Sequence, residues 1–182
     1  LAWSEFAWRT SLGEYNPEST VASLEIPGFS AMFKFNREWR IQDLFALGNP
    51  HIRKPEYMSK VAFGSLLHSV EDSFAGGHVE RRDPIPGQKC VAMPEFDQPG
   101  KVVEFHSYSH QDAGKHGESD TRKSFSAHWS SGRPHVVEVG RNLYSFFQRK
   151  SPWSEVKPYL ECVSELDPQV RPASAGTGYA AT

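Results

Sequence analysis

The apolar residues of the chain recur at the three- and four-residue spacing of helices over most of its length. This spacing is clearest over residues 55–76, where a broad apolar face ends at the pair Gly76-Gly77, a common helix stop. The same criterion predicts further helices over residues 29–47, 116–130, 135–150 and 152–166. We therefore expect an all-α fold, a helical bundle with long loops that form the functional site.

Two segments interrupt this helical pattern. Residues 82–100 are rich in proline and predict a loop, and residues 101–108 predict a short strand or an extended segment. The last residues are rich in Pro, Ala, Gly and Thr, which is typical of a mobile terminus. We therefore expect one helical metal-binding domain over residues 1–166 and a mobile tail over residues 167–182.

Composition narrows the classes of partner. The formal net charge of the 182 residues is -2, which argues against non-specific binding to duplex nucleic acid. No apolar run approaches the roughly 18 residues of a transmembrane helix, and no signal-peptide pattern is visible. The chain opens at Leu1, so we expect either a mature form or a fragment. The cysteines Cys90 and Cys162 could form one disulfide or remain free thiols.

Histidines and aspartates recur at a spacing that is suited to metal binding. His68 and Asp72 stand four residues apart on the clearest helix, so both side chains lie on one face. His78 follows the glycine break, and His116 and Asp120 repeat the four-residue spacing on a second predicted helix. An inward-facing carboxylate needs charge compensation, and imidazole with carboxylate suits zinc. In the alternative interpretation, His68 and Asp72 form a buried hydrogen-bonded pair while His116 is solvated.

Other polar residues near this set have less distinctive positions. Arg81 and Arg82 follow His78 closely and could grip a phosphate, or could simply be solvated. His106, His110 and Asp112 fall on a possible rim loop, where they could orient ligands or substrate.

The pattern His68-x-x-x-Asp72-x-x-x-x-x-His78, followed by His116-x-x-x-Asp120, resembles the ligand pattern of the zinc-dependent phospholipase C and single-strand nuclease superfamily. The run Leu-Leu-His-Ser-Val-Glu-Asp-Ser-Phe is especially similar to bacterial members. The resemblance covers roughly residues 55–130. It implies an α-helical fold, two or three zinc ions, and hydrolysis of phosphodiesters by metal-activated water. It also implies that Asp72 can bridge two ions, which makes it the candidate catalytic residue.

The chain departs from the family pattern upstream of residue 55. The family uses its N-terminal residue together with upstream His and Asp ligands, whereas here the upstream segment offers only His51 and Asp43, outside any recognisable motif. The gap between His78 and His116 is also longer than usual. The upstream half of the zinc cluster is therefore missing, supplied by a removed N-terminal segment or a partner chain, or replaced by other residues.

Two functions follow as hypotheses. The first is a zinc-dependent phospholipase C-like hydrolase, secreted or periplasmic, that acts on a phospholipid or another phosphodiester held by Arg81 and Arg82. The second is a metal-stabilised binding or structural domain of a larger effector or toxin, without activity of its own.

Overall fold

The structure is a computed structural model that describes residues 1–32, 38–46, 49–52, 54–130 and 136–181. Its helices are α1 (Ala2–Ser11), α2 (Phe29–Met32), α3 (Ile41–Ala46), α4 (Pro55–Asp72), α5 (Ala113–Ser119), α6 (Arg122–Ser130), α7 (Val136–Gln148) and α8 (Trp153–Val163). Two strands, β1 (Val79–Arg81) and β2 (Val102–Phe105), pair with each other in antiparallel orientation.

The prediction of an all-α bundle is wrong, because the mostly helical chain also contains this two-stranded sheet. β2 corresponds to the strand alternative for residues 101–108, whereas β1 was not predicted. The strands bury the β-branched residues Val79, Val102 and Val103, which favour the pleated backbone. β1 spans only three residues, so it is too short to show the two-residue alternation of a strand.

Two of the predicted helices are divided in the structure. The segment predicted as one helix over residues 29–47 contains α2 and α3, and residues 33–37, 47 and 48 lie outside the described part. The backbone N–H of Arg40 donates to the Asp43 carboxylate at 3.1 Å, which caps the start of α3. The segment predicted as one helix over residues 116–130 is divided between α5 and α6. The hydroxyl of Thr121 accepts from the backbone N–H of Ser124, so a new helix begins after α5.

Backbone contacts divide the chain into two compact units. One metal-binding domain over residues 1–166 stays a prediction. The first unit comprises Leu1–His68 and Phe146–Lys157. Its core is aromatic: Phe6 contacts Phe29 and Phe45 with ring centroids 4.5 and 5.0 Å apart. These aromatic side chains therefore pack in the core, where each one buries a large apolar surface.

The second unit comprises Ser69–Ser145 and Pro158–Thr182, and it contains the sheet. A disulfide between Cys90 and Cys162 joins the proline-rich loop to α8 within this unit, with the two Cα atoms 5.6 Å apart. The covalent link therefore closes a long loop of chain that includes β2.

The C-terminal segment, predicted to be a mobile tail over residues 167–182, runs alongside β2 and the loop that follows it. Backbone hydrogen bonds join Asp167 to Val102 and Arg171 to Val103 at 2.8 Å each. Further along, the segment bonds to the backbone of residues 107, 110 and 112. Among the described residues, no helix is both long enough and apolar enough to span a membrane.

We expect the disulfide to make a large contribution to stability. Cys90 and Cys162 are separated by 72 residues, and in the loop-closure model a link of this span stabilises the fold by about 4 kcal/mol. The double variant Cys90→Ala/Cys162→Ala should lower the free energy of unfolding by that order, as measured by urea denaturation. A thiol reducing agent should lower the free energy of unfolding of the unmodified chain by a similar amount and should not change that of the double variant. Equal stability of the two proteins would contradict this prediction.

Candidate metal centre

The end of α4 and two short elements of the second unit bring predicted ligands together. Asp72 is the last residue of α4, and His78 stands directly before β1. His116 lies in the last turn of α5, whose start is capped by Asp112 accepting from the backbone N–H of Lys115. Asp120 follows α5 outside the helix. The site is therefore built from a helix end, a hairpin and a short helix, rather than from two facing helices.

The functional atoms of these residues converge on one point. Nε2 of His78 lies 3.6 Å from Oδ2 of Asp120, and Nε2 of His116 lies 3.7 Å from the same oxygen. One ligand atom from each of the three residues lies within 4.8 Å of the others. Asp72 stands at the side of this group, with its Oδ1 atom 3.9 Å from Nε2 of His78.

These separations are compatible with ligands around an ion. They exceed the roughly 2.7–3.2 Å of an N–H···O hydrogen bond. Two ligands of a tetrahedral zinc ion, each about 2.1 Å from the metal, lie roughly 3.4 Å apart. Two imidazoles and two nearby carboxylates also suit zinc in donor type and in charge. The residues present therefore fit a zinc ion.

The imidazole of His116 is fixed in the form that can bind a metal. The amide nitrogen of Gln111 donates to the carbonyl oxygens of Gly77 and Ala175, at 2.8 Å each. Its amide oxygen therefore faces Nδ1 of His116 at 3.0 Å and must accept from it. With the proton on Nδ1, the Nε2 lone pair points at Asp120 and is available to a metal.

Tyr108 plays the corresponding part beside His78. The Tyr108 hydroxyl lies 3.3 Å from Nδ1 of His78, and the two rings meet edge to face. Partial desolvation of the hydroxyl, together with the negative charges of Asp72 and Asp120, raises the pKa of Tyr108. The hydroxyl oxygen can accept a hydrogen bond from a protonated Nδ1 of His78, which leaves the Nε2 lone pair for a metal.

Close packing at Gly77 allows the turn between α4 and β1 to approach α5. A Cβ atom on Gly77 would lie 2.4 Å from Oγ of Ser119 and 3.1 Å from Nδ1 of His116. A side chain at Gly77 would force the Ser119 hydroxyl to move and would crowd His116. The glycine therefore favours the close approach at the centre, whereas α4 itself ends earlier, at Asp72.

The position of His68 tests the alternative interpretation, in which His68 and Asp72 form a buried pair. His68 lies on α4 one turn before Asp72, it is exposed, and it belongs to the first unit. The side chain of His116 is only 17% exposed. The alternative interpretation requires a buried His68 and a solvated His116. The observed exposures are the reverse. Metal binding by His68 stays a prediction.

The two arginines predicted to bind substrate have different environments. Arg81 is half-buried, and its guanidinium donates to the carbonyl oxygens of Ser73, Gly100 and Val163 at 2.6–3.0 Å. Burial lowers the pKa of Arg81 to about 10, so it is still charged at neutral pH. Arg82 is exposed and pairs with Asp167 at 3.0 Å. The contacts of Arg81 are structural, and a role for either residue in substrate binding stays a prediction.

The sequence analysis missed the residues that orient the imidazoles. Gln111 lies five residues before His116 and Tyr108 eight residues before it, and neither spacing marks a pair on one helix face. Only the fold of the loop between β2 and α5 brings them to the ligands.

We expect Gln111→Leu to weaken zinc binding although Gln111 is not a ligand. Loss of the acceptor frees the proton and the orientation of His116, which typically costs about 10- to 100-fold in metal affinity. Competition with a chromogenic chelator measures this, and Gln169→Leu on the exposed C-terminal segment is the control. Gln111→Glu keeps an acceptor and should retain more affinity. Unchanged affinity in a folded Gln111→Leu protein would contradict the orienting role.

We also expect the adjacent arginines to respond differently to the same substitution. Arg81→Lys leaves buried carbonyl groups unpaired and should lower the free energy of unfolding by roughly 2–4 kcal/mol. Arg82→Lys, at an exposed position, should leave the denaturation midpoint unchanged. Urea denaturation of the two variants tests this, and equal midpoints would exclude the structural role of Arg81.

No protein-family model, curated protein or solved structure matches this chain. The resemblance to the zinc-dependent phospholipase C and single-strand nuclease superfamily therefore rests on the spacing of its own residues and stays a prediction. Function has to be argued from the chemistry of the site.

Proposed function

We propose that the chain is a zinc-dependent phosphodiester hydrolase, most similar in function to a phospholipase C. The observation that carries the proposal is the convergence of the Nε2 atoms of His78 and His116 on one oxygen of Asp120, with Asp72 beside them. A bound zinc ion supplies an acidified water and an electrophile for a phosphoryl oxygen.

The chain itself contributes the holding and orienting groups. Gln111 and Tyr108 fix the two imidazoles, so that their Nε2 atoms face the carboxylates. Asp72, as the candidate catalytic residue, has an oxygen at a distance that allows it to share an ion with His78 or to accept a proton. The negative charges of the Asp72 and Asp120 carboxylates also balance the charge of a divalent ion.

Access from solvent supports an enzyme over a purely structural zinc site. The side chains of Asp72 and Asp120 are 32% and 44% exposed, and Tyr108 is 69% exposed at the rim. A structural zinc is closed off by its ligands, whereas a catalytic one keeps a position open for water or substrate. An exposed aromatic ring beside the ligands also provides a surface for an organic substrate.

The choice of substrate class rests on the resemblance of residues 55–130 and on charge. The net charge of -2 disfavours duplex nucleic acid, which leaves a phospholipid or another small phosphodiester as the favoured substrate. The disulfide between Cys90 and Cys162 supports a secreted or periplasmic location, because such bonds persist in oxidising compartments.

A second candidate function is a metal-stabilised binding or structural domain of a larger effector or toxin. Among the described residues, the group at this centre whose ligand atoms all lie within 4.8 Å of one another has three members, which suffices for one zinc ion. The upstream ligands of the family have no clear counterpart in the sequence. Further zinc ions would then need a preceding segment or a partner chain.

Metal analysis combined with hydrolysis of a chromogenic phosphocholine ester separates the two functions. EDTA should abolish cleavage and zinc should restore it, and activity should fall at acidic pH because protonated imidazole cannot bind a metal. Asp72→Asn should lose zinc and activity together, since an amide is a poor ligand. Glu118→Gln, which removes an exposed charge from α5, is the matched control and should keep both.

A zinc-loaded, folded chain that cleaves neither lipid, nor single-stranded nucleic acid, nor small phosphodiesters would overturn the hydrolase proposal. The binding-domain function would then be favoured. Unchanged zinc content in Asp72→Asn would remove Asp72 from the set of ligands.

A further inference from the structure

A second cluster of potential ligands lies on the sheet, apart from the residues assigned above. Glu80 of β1 and Glu104 of β2 are directly opposed in the antiparallel register, and His106 follows β2. Ligand atoms of the three residues lie within 4.8 Å of one another. Like charges directly opposite each other destabilise a sheet. The pairing of the two glutamates therefore requires a positive charge between them.

His106 has an unusual environment for a histidine. Both of its ring nitrogens are buried, and neither has a hydrogen-bond partner in the part of the chain that the structure describes. Buried polar atoms of this kind are rare in native proteins and call for an explanation. A Cβ atom on Gly176, a residue with φ of +84°, would lie 2.5 Å from Nδ1 of His106. The backbone thus packs closely against the ring without providing a donor or an acceptor for it.

Arg171 supplies the positive charge in the structure. Its Nε donates to Oε2 of Glu104 at 2.8 Å, and its Nη2 donates to Oε2 of Glu80 at 2.5 Å. Ser174 donates to the other oxygen of Glu104. These hydrogen bonds, from Ser174 and then Arg171, hold the pKa of Glu104 below its usual range, so the carboxylate is ionised at neutral pH. The Arg171 side chain is 46% exposed, so its guanidinium borders solvent as well as the two carboxylates.

We propose that Glu80, Glu104 and His106 form a second divalent-cation site, in which Arg171 occupies the place of the ion until one binds. Two carboxylates balance the charge of a divalent ion, and the neutral imidazole contributes a lone pair to it. One nitrogen and two oxygens suit zinc. The site explains the unpartnered ring of His106, which the ion pairs of Arg171 do not.

The proposal does not depend on hydrolase activity, and zinc alone is the probe. The background for the test is the full chain with His78→Ala and His116→Ala, which removes the imidazoles of the first centre. Competition with a chromogenic chelator should still detect about one zinc ion per chain. Adding His106→Gln should abolish this binding, whereas His110→Gln, at an exposed histidine, should leave it intact.

A substitution of Arg171 tests directly whether its guanidinium competes with the ion. Removing the competing cation with Arg171→Gln should tighten zinc binding by about tenfold, as expected for loss of one nearby like charge. Arg82→Gln, another exposed ion-paired arginine, is the matched control and should have no effect. A purely structural ion-pair cluster predicts the opposite result, lower stability in Arg171→Gln with no gain in affinity.

Thermal denaturation first establishes that each variant folds. Absence of zinc from the folded background, zinc that survives His106→Gln, or equal affinity in Arg171→Gln would each overturn the proposal. If the background does not fold, the same substitutions in the otherwise unchanged chain decide the matter. His106→Gln should then lower the zinc content by about one ion, and an unchanged content would exclude the site.

Discussion

The approach of the turn at Gly77 to α5 is the constraint on which the candidate metal centre depends. The backbone carbonyl of Gly77 accepts from Gln111, and its missing side chain leaves room for Ser119 and His116. His78 is the next residue along the chain and β1 begins at Val79, so this contact lies directly beside a predicted ligand and the start of the sheet. A single close backbone approach thus sets the positions of both imidazoles and of the strand that carries Glu80.

The sheet connects the two clusters. The backbone N–H of His106 donates to the carbonyl oxygen of His78 at 2.7 Å. This hydrogen bond joins His106, a member of the second cluster, to His78, a predicted ligand of the first. The clusters differ in how their negative charge is balanced. At the first, aspartates face imidazoles at distances longer than a hydrogen bond. At the second, a guanidinium already lies between the glutamates.

Local periodicity was sufficient to predict the long helices and the main ligand pattern. The apolar spacing over residues 55–76 and 135–150 placed α4 and α7 closely, since each buries one face. His78, His116 and Asp120 were selected by spacing, and the structure brings them together. Asp120, however, lies in the turn after α5 rather than on a continuous helix, because a Thr121 cap starts a new helix there.

What the sequence could not predict depends on pairing between distant residues. Glu80 and Glu104 meet only because two short strands pair across an irregular loop, and no local pattern encodes that register. The same holds for Gln111, whose partners Gly77 and Ala175 are 34 and 64 residues away. The two compact units are each assembled from separated stretches of chain, so their division is also invisible in the linear sequence.

The course of the C-terminal segment has a consequence for how the protein responds to proteases. Ala175 anchors the amide of Gln111, Gly176 packs on His106, and Arg171 bridges the glutamates. One strip of chain thus supports both clusters without contributing a ligand to the first. Residues 168–173 are exposed, so a single cut there would detach these supports while leaving His78, His116 and Asp120 intact. Limited proteolysis there would therefore weaken the support of Gln111 and of His106 together.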